Sequence, residues 1–469
     1  MRRPMIWIAC LLFVVLWNPT VGQPAAPNDP FFSSSGAWGQ SFADQWYLAR
    51  IGFPSKGASA WDLETGASRP VIVAVLDTGL DYFHPDIKKS SVWQNPKPYK
   101  KDEDPNGLVD DVIGWNFVDN NSNPWDNGGH GTFVAGLIAA AANNGHGIAG
   151  INWGVQIMPL KVRNMFGRGR AYDVARAIVY AVDHGAKVIN ISAEEEHLTQ
   201  TEQRAIDYAY EKGALIVVAA GNQGMDTTDR SPASMNHVLP VAALDQNDKR
   251  ADFSNWGQHV KLAAPGVDIL SLRARRTDFI LLAGVKDYKG GQNFVGPKNQ
   301  FMRASGTSFS APMVSAVASL IWAKYPNLTN EQVERMLIES ADDVEVPGWD
   351  HLSGAGRLNA LAALKADPNY FLTAKVSEVT AAEVKGKTVI QVSGTAVGSR
   401  LERYEIQIGQ GENPTKWKTV AKEKKKQVLA GPVATFPVSE LTATGTWTIR
   451  LVVEDGGKTK EARGSLDVN

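Results

Sequence analysis

The chain has 469 residues, 43% hydrophobic and 21% charged, with a formal net charge of −1. This is ordinary globular composition, and the even charge balance gives no electrostatic footprint for nucleic acid or another polyanion. Length alone suggests about three domains, although α/β domains run larger than the average.

The first residues, "MRRPMIWIACLLFVVLWNPTVGQPAAP", carry two arginines, an apolar run, and then small and turn-forming residues. That is the layout of a secretory signal peptide over residues 1–22, with cleavage after Gly22. The apolar run is shorter than the roughly 20 residues a spanning helix needs, and no later stretch qualifies. The expectation is a secreted protein, extracellular or periplasmic, with no stable membrane insertion after cleavage; an uncleaved N-terminal anchor is the alternative. The sole cysteine, Cys10, lies inside this segment, and Leu11 to Trp17 continue the apolar run past it, which argues against lipidation. The mature chain would have neither disulfide nor reactive thiol, and would rely on a large core and bound ions.

An irregular lead, "QPAAPNDPFFSSSGAWGQ", comes next. From about Val71 to Ala366, continuous apolar runs such as "VIVAVLD", "KVINIS" and "ALIVVAAGN" fit fully buried parallel strands. They alternate with helical stretches, "GTFVAGLIAAAANN", "AYDVARAIVYAVDHG" and "TQTEQRAIDYAYEKG". Alternation of this kind predicts an α/β domain over residues 23–366, a parallel sheet sandwiched by helices. Reactive groups then collect at the C-terminal ends of the strands. From about Asp367 the texture changes to short alternating segments, "KTVIQVSGTAVGS", "RYEIQIGQG", "GPVATFPVSEL" and "GTWTIRLVVEDGGKTKEARGSLDV". These predict a small antiparallel β-sandwich over 367–469. The basic run "KEKKK" at Lys422 to Lys426 reads as a solvated loop or edge protection.

Three motifs carry chemistry. "VIVAVLDTGLDYFHPDI" ends a buried strand in Asp77, where a carboxylate is costly unless paired. "DNGGHGTFVAGLIAA" sets His130 between glycines at a helix entrance. "SGTSFSAP" places Ser308 near a helix start, with Pro312 near the end of the first turn, where its missing N–H costs least. Singly, each residue reads equally well as a cap or a satisfied polar group. Together they supply a nucleophile, a base and an orienting carboxylate for acyl transfer. "LIVVAAGNQG" adds Asn222 after a buried strand as an oxyanion donor, with the Ser308 backbone N–H as a second.

In "DTGLDYFHPDI", "HGTFVAG" and "GTSFSAP" the chain resembles the subtilisin-like serine proteases, in that family's Asp, His, Ser order. The resemblance runs from about Asn28 to Ala366. It implies that His130 is general base and acid, Asp77 its orienting partner, Ser308 the nucleophile and Asn222 the oxyanion donor. It also implies that Ser192, Ala193, Glu194 and Gly221 bind substrate, and that protein or peptide substrates are cleaved. A serine esterase would carry a "GxSxG" elbow, which is absent around Ser308.

Two features depart from the family pattern. After "KVINIS" the family runs into a small glycine-containing segment that walls the specificity pocket; here it reads Ala193, Glu194, Glu195, Glu196. One reading is a helix N-terminus with Ser192 in a capping box. Another is an acidic pocket that selects Lys or Arg before the cleaved bond, and a third is a pocket that no longer binds peptides well. Second, no folding pro-segment is expected between the signal and the lead.

Calcium is the expected cofactor. "DEDPNGLVDDVIGW" sets Asp102, Asp104, Asn106, Gly107 and Asp110 at positions 1, 3, 5, 6 and 9 of an oxygen-ligand loop, with Leu108 at the seventh. No glutamate closes it, and Asp111 replaces one only in a different loop fold. The resemblance implies two further sites: Asp86 with Asn143 and Asn144 of "NNGHGIAG", and Asp119, Asn121 and Asn123 of "FVDNNSNP". The leading expectation is a secreted serine endopeptidase with an accessory sandwich. The runner-up is a binding or scaffolding protein blocked at its substrate edge.

Overall fold

The computed structural model describes residues 26–96, 107–194, 197–384, 386–412 and 414–468. The signal segment with Cys10, and Asp102, Asp104, Asn106, Glu195 and Glu196, lie outside these residues. The buried apolar runs form the strands β1 (Ile72–Asp77), β2 (Trp115–Asn116), β3 (Gln156–Lys161), β4 (Val188–Ile191), β5 (Leu215–Ala219), β6 (Val238–Leu244) and β7 (Leu262–Pro265). They make one sheet in the order β2-β3-β1-β4-β5-β6-β7, and every pairing in it is parallel. Covering both faces with helices keeps such a sheet dry, which is why its strands read as unbroken apolar runs rather than alternating ones.

Two short helices, α1 (Pro30–Ser33) and α2 (Trp46–Arg50), precede β1. Then come α3 (His130–Ala139), α4 (Ala171–Asp183), α5 (Gln200–Glu211), α6 (Phe279–Leu282), α7 (Thr307–Lys324), α8 (Asn330–Glu339) and α9 (Ala360–Lys365). On one face, α4 and α5 bury Ile178 and Ile206 against Leu76, Met158, Ile189 and Val218 of the sheet. On the other lie α3 and α7, buried almost all round and built largely of Ala, Ser, Gly and Val. Small residues let these two helices sink into the core beneath the strand ends. A small antiparallel sheet of β8 (Ile269–Leu272), β9 (Phe294–Val295) and β10 (Phe301–Ala304) leads into α7.

Pro312 sits deeper than its sequence suggests. The helix α7 starts at Thr307 behind Gly306, so Pro312 falls in the second turn rather than at the end of the first. Its missing N–H leaves the Ser308 carbonyl without its helical partner. That carbonyl accepts a hydrogen bond from the Ser192 hydroxyl at 2.8 Å instead. A net hydrogen bond is worth about 0.5–1.5 kcal/mol, so the replacement offsets most of the loss and ties the helix to the end of β4.

The C-terminal region is all-β. It comprises β11 (Leu372–Val384), β12 (Lys387–Gly398), β13 (Leu401–Gln410), β14 (Lys418–Lys424), β15 (Val428–Pro437), β16 (Gly445–Asp455) and β17 (Lys458–Val468). Two antiparallel sheets, β11-β12-β15 and β14-β13-β16-β17, close on a shared core that includes Val392, Ile406, Ile449 and Leu451. The basic run lies partly on β14, an edge strand, as expected of edge protection. Glu339 at the end of α8 accepts hydrogen bonds from the Leu372 N–H and the Thr373 hydroxyl, and Trp349 bridges to Ala462 on β17. Among the described residues no helix is long and apolar enough to cross a membrane.

Candidate active site

β1 delivers Asp77 to the C-terminal edge of the sheet with 1% of its surface exposed. Its two carboxylate oxygens both lie 2.9 Å from His130 Nδ1, and one also accepts the Thr78 N–H at 2.7 Å. Because a carboxylate only accepts, Nδ1 carries the proton and Nε2 is left to face the cleft. Burial pulls the imidazole pKa down. The Asp77 charge and hydrogen bond, with Asp126 behind them, outweigh burial and leave it raised above 6.5.

Asp126 is the organiser that sequence reading missed. Fully buried, it accepts from the Thr78 hydroxyl, the Gly128 and Gly129 N–H groups, and both the N–H and hydroxyl of Thr132. These bonds fold the turn that starts α3 and so fix the backbone that carries His130. The available signal was an Asp placed a few residues before a glycine-rich helix start. Beside it, Lys161 pairs with Asp77 in register on β3. Its ammonium donates to the Thr78 carbonyl and to Asn127 Oδ1, setting a buried cation among the buried carboxylates.

Ser308 is the second residue of α7, among N–H groups that have no intrahelical partner. In this conformation its hydroxyl donates to the Ser192 carbonyl at 3.2 Å rather than to His130. Ser192 Oγ in turn is held by Asn190 Nδ2, and Asn190 Oδ1 by Ser315 of α7. The imidazole ring lies 5.6 Å from the ring of Phe309, the residue after Ser308. Asn222 commits its Oδ1 to the Thr307 N–H and hydroxyl, which leaves Nδ2 as the donor turned outward.

A second unforeseen residue is Phe279, from α6, whose ring meets His130 edge-on at 5.5 Å and packs on Phe133 and Phe309. It belongs to a stretch that carries no motif. A cavity of about 150 Å³ opens here, bounded by Asp77, His130, Arg163, Met165, Ala193 and Phe279 among others.

After β4, residues 192–194 are irregular, and α5 begins only at Gln200, capped by the Thr199 hydroxyl. The capping-box reading of Ser192 is therefore overturned: its hydroxyl is spent on the Ser308 carbonyl. Glu194 turns back toward Gly221. It accepts from Asn255 Nδ2 at 3.2 Å and lies 3.8 Å from Arg230 Nε. Burial pushes its carboxyl up, opposed by Gln223, Arg230, the Asn222 backbone and Asn255.

Of the expected calcium ligands, Asp86 and the 143–148 loop come together, and they are joined by Asp29, which the sequence did not single out. Both carboxylates are fully buried. Asp29 accepts the N–H groups of Asn143 and Asn144; Asp86 accepts Asn144 Nδ2 and the Ile148 N–H. Burial raises both, Asp86 to about 6, and Asp29 adds to the push. Two desolvated carboxylates around one loop of amides and carbonyls fit a hard dication. Of the loop expected at 102–110, Leu108 and Asp110 lie among the described residues, and the neighbouring Asp111 is committed to Asn95 and Tyr180. Asp119, Asn121 and Asn123 satisfy one another's turn and neighbouring groups. Among the described residues no cluster of three or more His, Cys, Asp or Glu side chains is placed to hold a metal.

The subtilase family model matches residues 68–356. The chain belongs to the subtilase family of serine peptidases. It is 36% identical over 305 residues to a thermophilic serine proteinase of Bacillus sp. strain AK1, covering 65% of this chain and 64% of that protein. To thermitase of Thermoactinomyces vulgaris it is 34% identical over 339 residues, covering 72% of this chain and 99% of thermitase. The chain thus spans just under two thirds of the Bacillus proteinase and nearly all of thermitase. A solved protease from Pseudoalteromonas arctica superposes with a TM-score of 0.56 at 28% identity, over 72% of this chain and 99% of that one.

Gly131 tests how tightly this subtilase holds His130. A Cβ there would lie 2.3 Å from the Gly79 carbonyl and 3.1 Å from Asp77 Cβ. Gly131→Ala is expected to keep the fold, by circular dichroism, yet lose about 100-fold in kcat/KM through displacement of His130; unchanged kinetics would show that the contact is not restrictive.

Proposed function

We propose that the chain is a secreted serine endopeptidase working through an acyl-enzyme. The observation that carries this reading is the 2.9 Å contact between His130 Nδ1 and the buried Asp77 carboxylate, set beside a serine at the start of a buried helix. Rotation about the Ser308 Cα–Cβ bond turns its hydroxyl from Ser192 toward His130 Nε2. The imidazole takes the proton as Oγ attacks the substrate carbonyl. Charge that develops on the carbonyl oxygen meets Asn222 Nδ2 and the Ser308 N–H. Collapse of the tetrahedral intermediate passes the proton from Nε2 to the leaving amine, and water then repeats the sequence on the ester. Asp77 stabilises the imidazolium that forms at each step. Export is supported by the layout of residues 1–22.

Purified protein incubated with a fluorophosphonate probe is expected to label at Ser308, with no label on Ser308→Ala, and to digest casein. A folded sample that takes no label would overturn the catalytic reading. Labelling without digestion would favour a binding or scaffolding role behind a closed substrate edge.

Calcium, when bound by Asp29, Asp86, Asn143 and Asn144, would supply the positive charge that two buried carboxylates lack and pin the N-terminal segment to the loop after α3. A chelator is expected to lower the melting temperature of the wild type by several degrees, since about 1 kcal/mol moves a chain of this size by roughly 2–4 °C. Asp86→Asn should melt low with or without chelator. Equal melting of the wild type in both conditions would refute structural calcium here.

A further inference from the structure

Residues 192–194 flank Ser308, whose hydroxyl meets the Ser192 carbonyl, and Gly221 to Gln223 flank Asn222. The resemblance to subtilisin-like proteases implies that the side chain before the cleaved bond enters between these two segments. The bare face of Gly221 lines this space, and the Glu194 carboxylate lies against it: a Cβ on Gly221 would be 2.4 Å from Glu194 Oε2.

What holds the carboxylate there is rigid. Asn255 is fully buried. Its Oδ1 accepts the Gln223 and Met225 N–H groups at 3.0 and 3.1 Å, and its own N–H donates to the Gly221 carbonyl at 2.9 Å. With its oxygen so committed, Asn255 has only Nδ2 to offer, to Glu194 Oε1 and Gln223 Oε1. Arg230 Nε lies 3.8 Å from the same Oε1. The Glu194 and Arg230 side chains retain only 12% and 22% of their exposure.

We propose that Glu194 and Arg230 form a polar plug in this space, so that the enzyme cleaves after small residues, alanine, serine or glycine. The inference rests on the proteolytic reading above. An aromatic or large aliphatic side chain would have to displace a carboxylate that is anchored to a buried amide. A substrate lysine would compete with Arg230 for Glu194, and a substrate glutamate would compete with Glu194 for Arg230. A methyl group or a hydrogen displaces neither. The acidic pocket selecting Lys or Arg, weighed from sequence alone, lacked Arg230, which already meets the charge.

The test uses peptide anilides that differ only in the residue before the cleaved bond: Ala, Phe, Lys or Glu. Wild-type kcat/KM for Ala is expected to exceed that for each of the others by about tenfold or more. Glu194→Gly should raise the Phe to Ala ratio by at least about tenfold, and Glu194→Gln, which keeps the shape, should retain the preference for Ala. Arg230→Gly frees the carboxylate and should raise cleavage after Lys by about tenfold. A wild type that prefers Phe or Lys, or a Glu194→Gly variant with an unchanged Phe to Ala ratio, would overturn the plug. Fluorophosphonate labelling of each protein separates the failures. A labelled enzyme with the wrong preference defeats this inference alone, whereas a folded wild type that takes no label defeats the proteolytic reading with it.

Discussion

The hydrogen bond between His130 Nδ1 and the Asp77 carboxylate is the contact on which the rest of this molecule converges. It joins the end of β1 to the first residue of a buried helix, 53 positions apart in sequence. A carboxylate 1% exposed would be strongly unfavourable alone, and removing one member of a buried pair generally costs about 3–5 kcal/mol. The surroundings meet that cost in kind: Asp126 gathers five donors to hold the helix entrance, and Lys161 places an ammonium among the carboxylates. Burial alone would depress the imidazole pKa, and the two carboxylates reverse the sign.

A second constraint acts through α7. Pro312 removes the N–H that the Ser308 carbonyl would otherwise meet, and Ser192 fills the gap. The backbone of Ser308 is thereby stitched to the end of β4. The same stretch runs on into Glu194, so the segment from Asn190 to Glu194 both ties down the start of α7 and packs against Gly221.

Much of this was legible in the sequence. Unbroken apolar runs gave the parallel sheet, because strands buried on both faces need no alternation, and Asp77, His130 and Ser308 stood out as polar residues among small ones at strand and helix ends. Asn222 followed the same logic. What escaped was set by convergence across long sequence distances. Asp126 acquires its role only when Thr78 and the turn before α3 fold around it. Asp29 meets Asp86 only through the 143–148 loop, and Phe279 reaches His130 from a segment with no motif. Ser192 misled as a helix cap, since Ser-x-x-Glu spacing is local while the partner that claims its hydroxyl lies 116 residues away. In the acidic run Glu194 was visible, but its contacts with Asn255 and Arg230, far apart in sequence, were not.

Burial is the largest single influence on His130, and the charge and hydrogen bond of Asp77, together with the charge of Asp126, outweigh it. Proton NMR of the imidazole Nδ1–H in the wild-type enzyme, followed across pH, measures this directly. The account predicts a low-field Nδ1–H resonance that titrates with a midpoint above the ordinary imidazole value of about 6.5. A midpoint at or below that value would mean that burial wins and that Asp77 does not support the imidazolium, which would contradict the account.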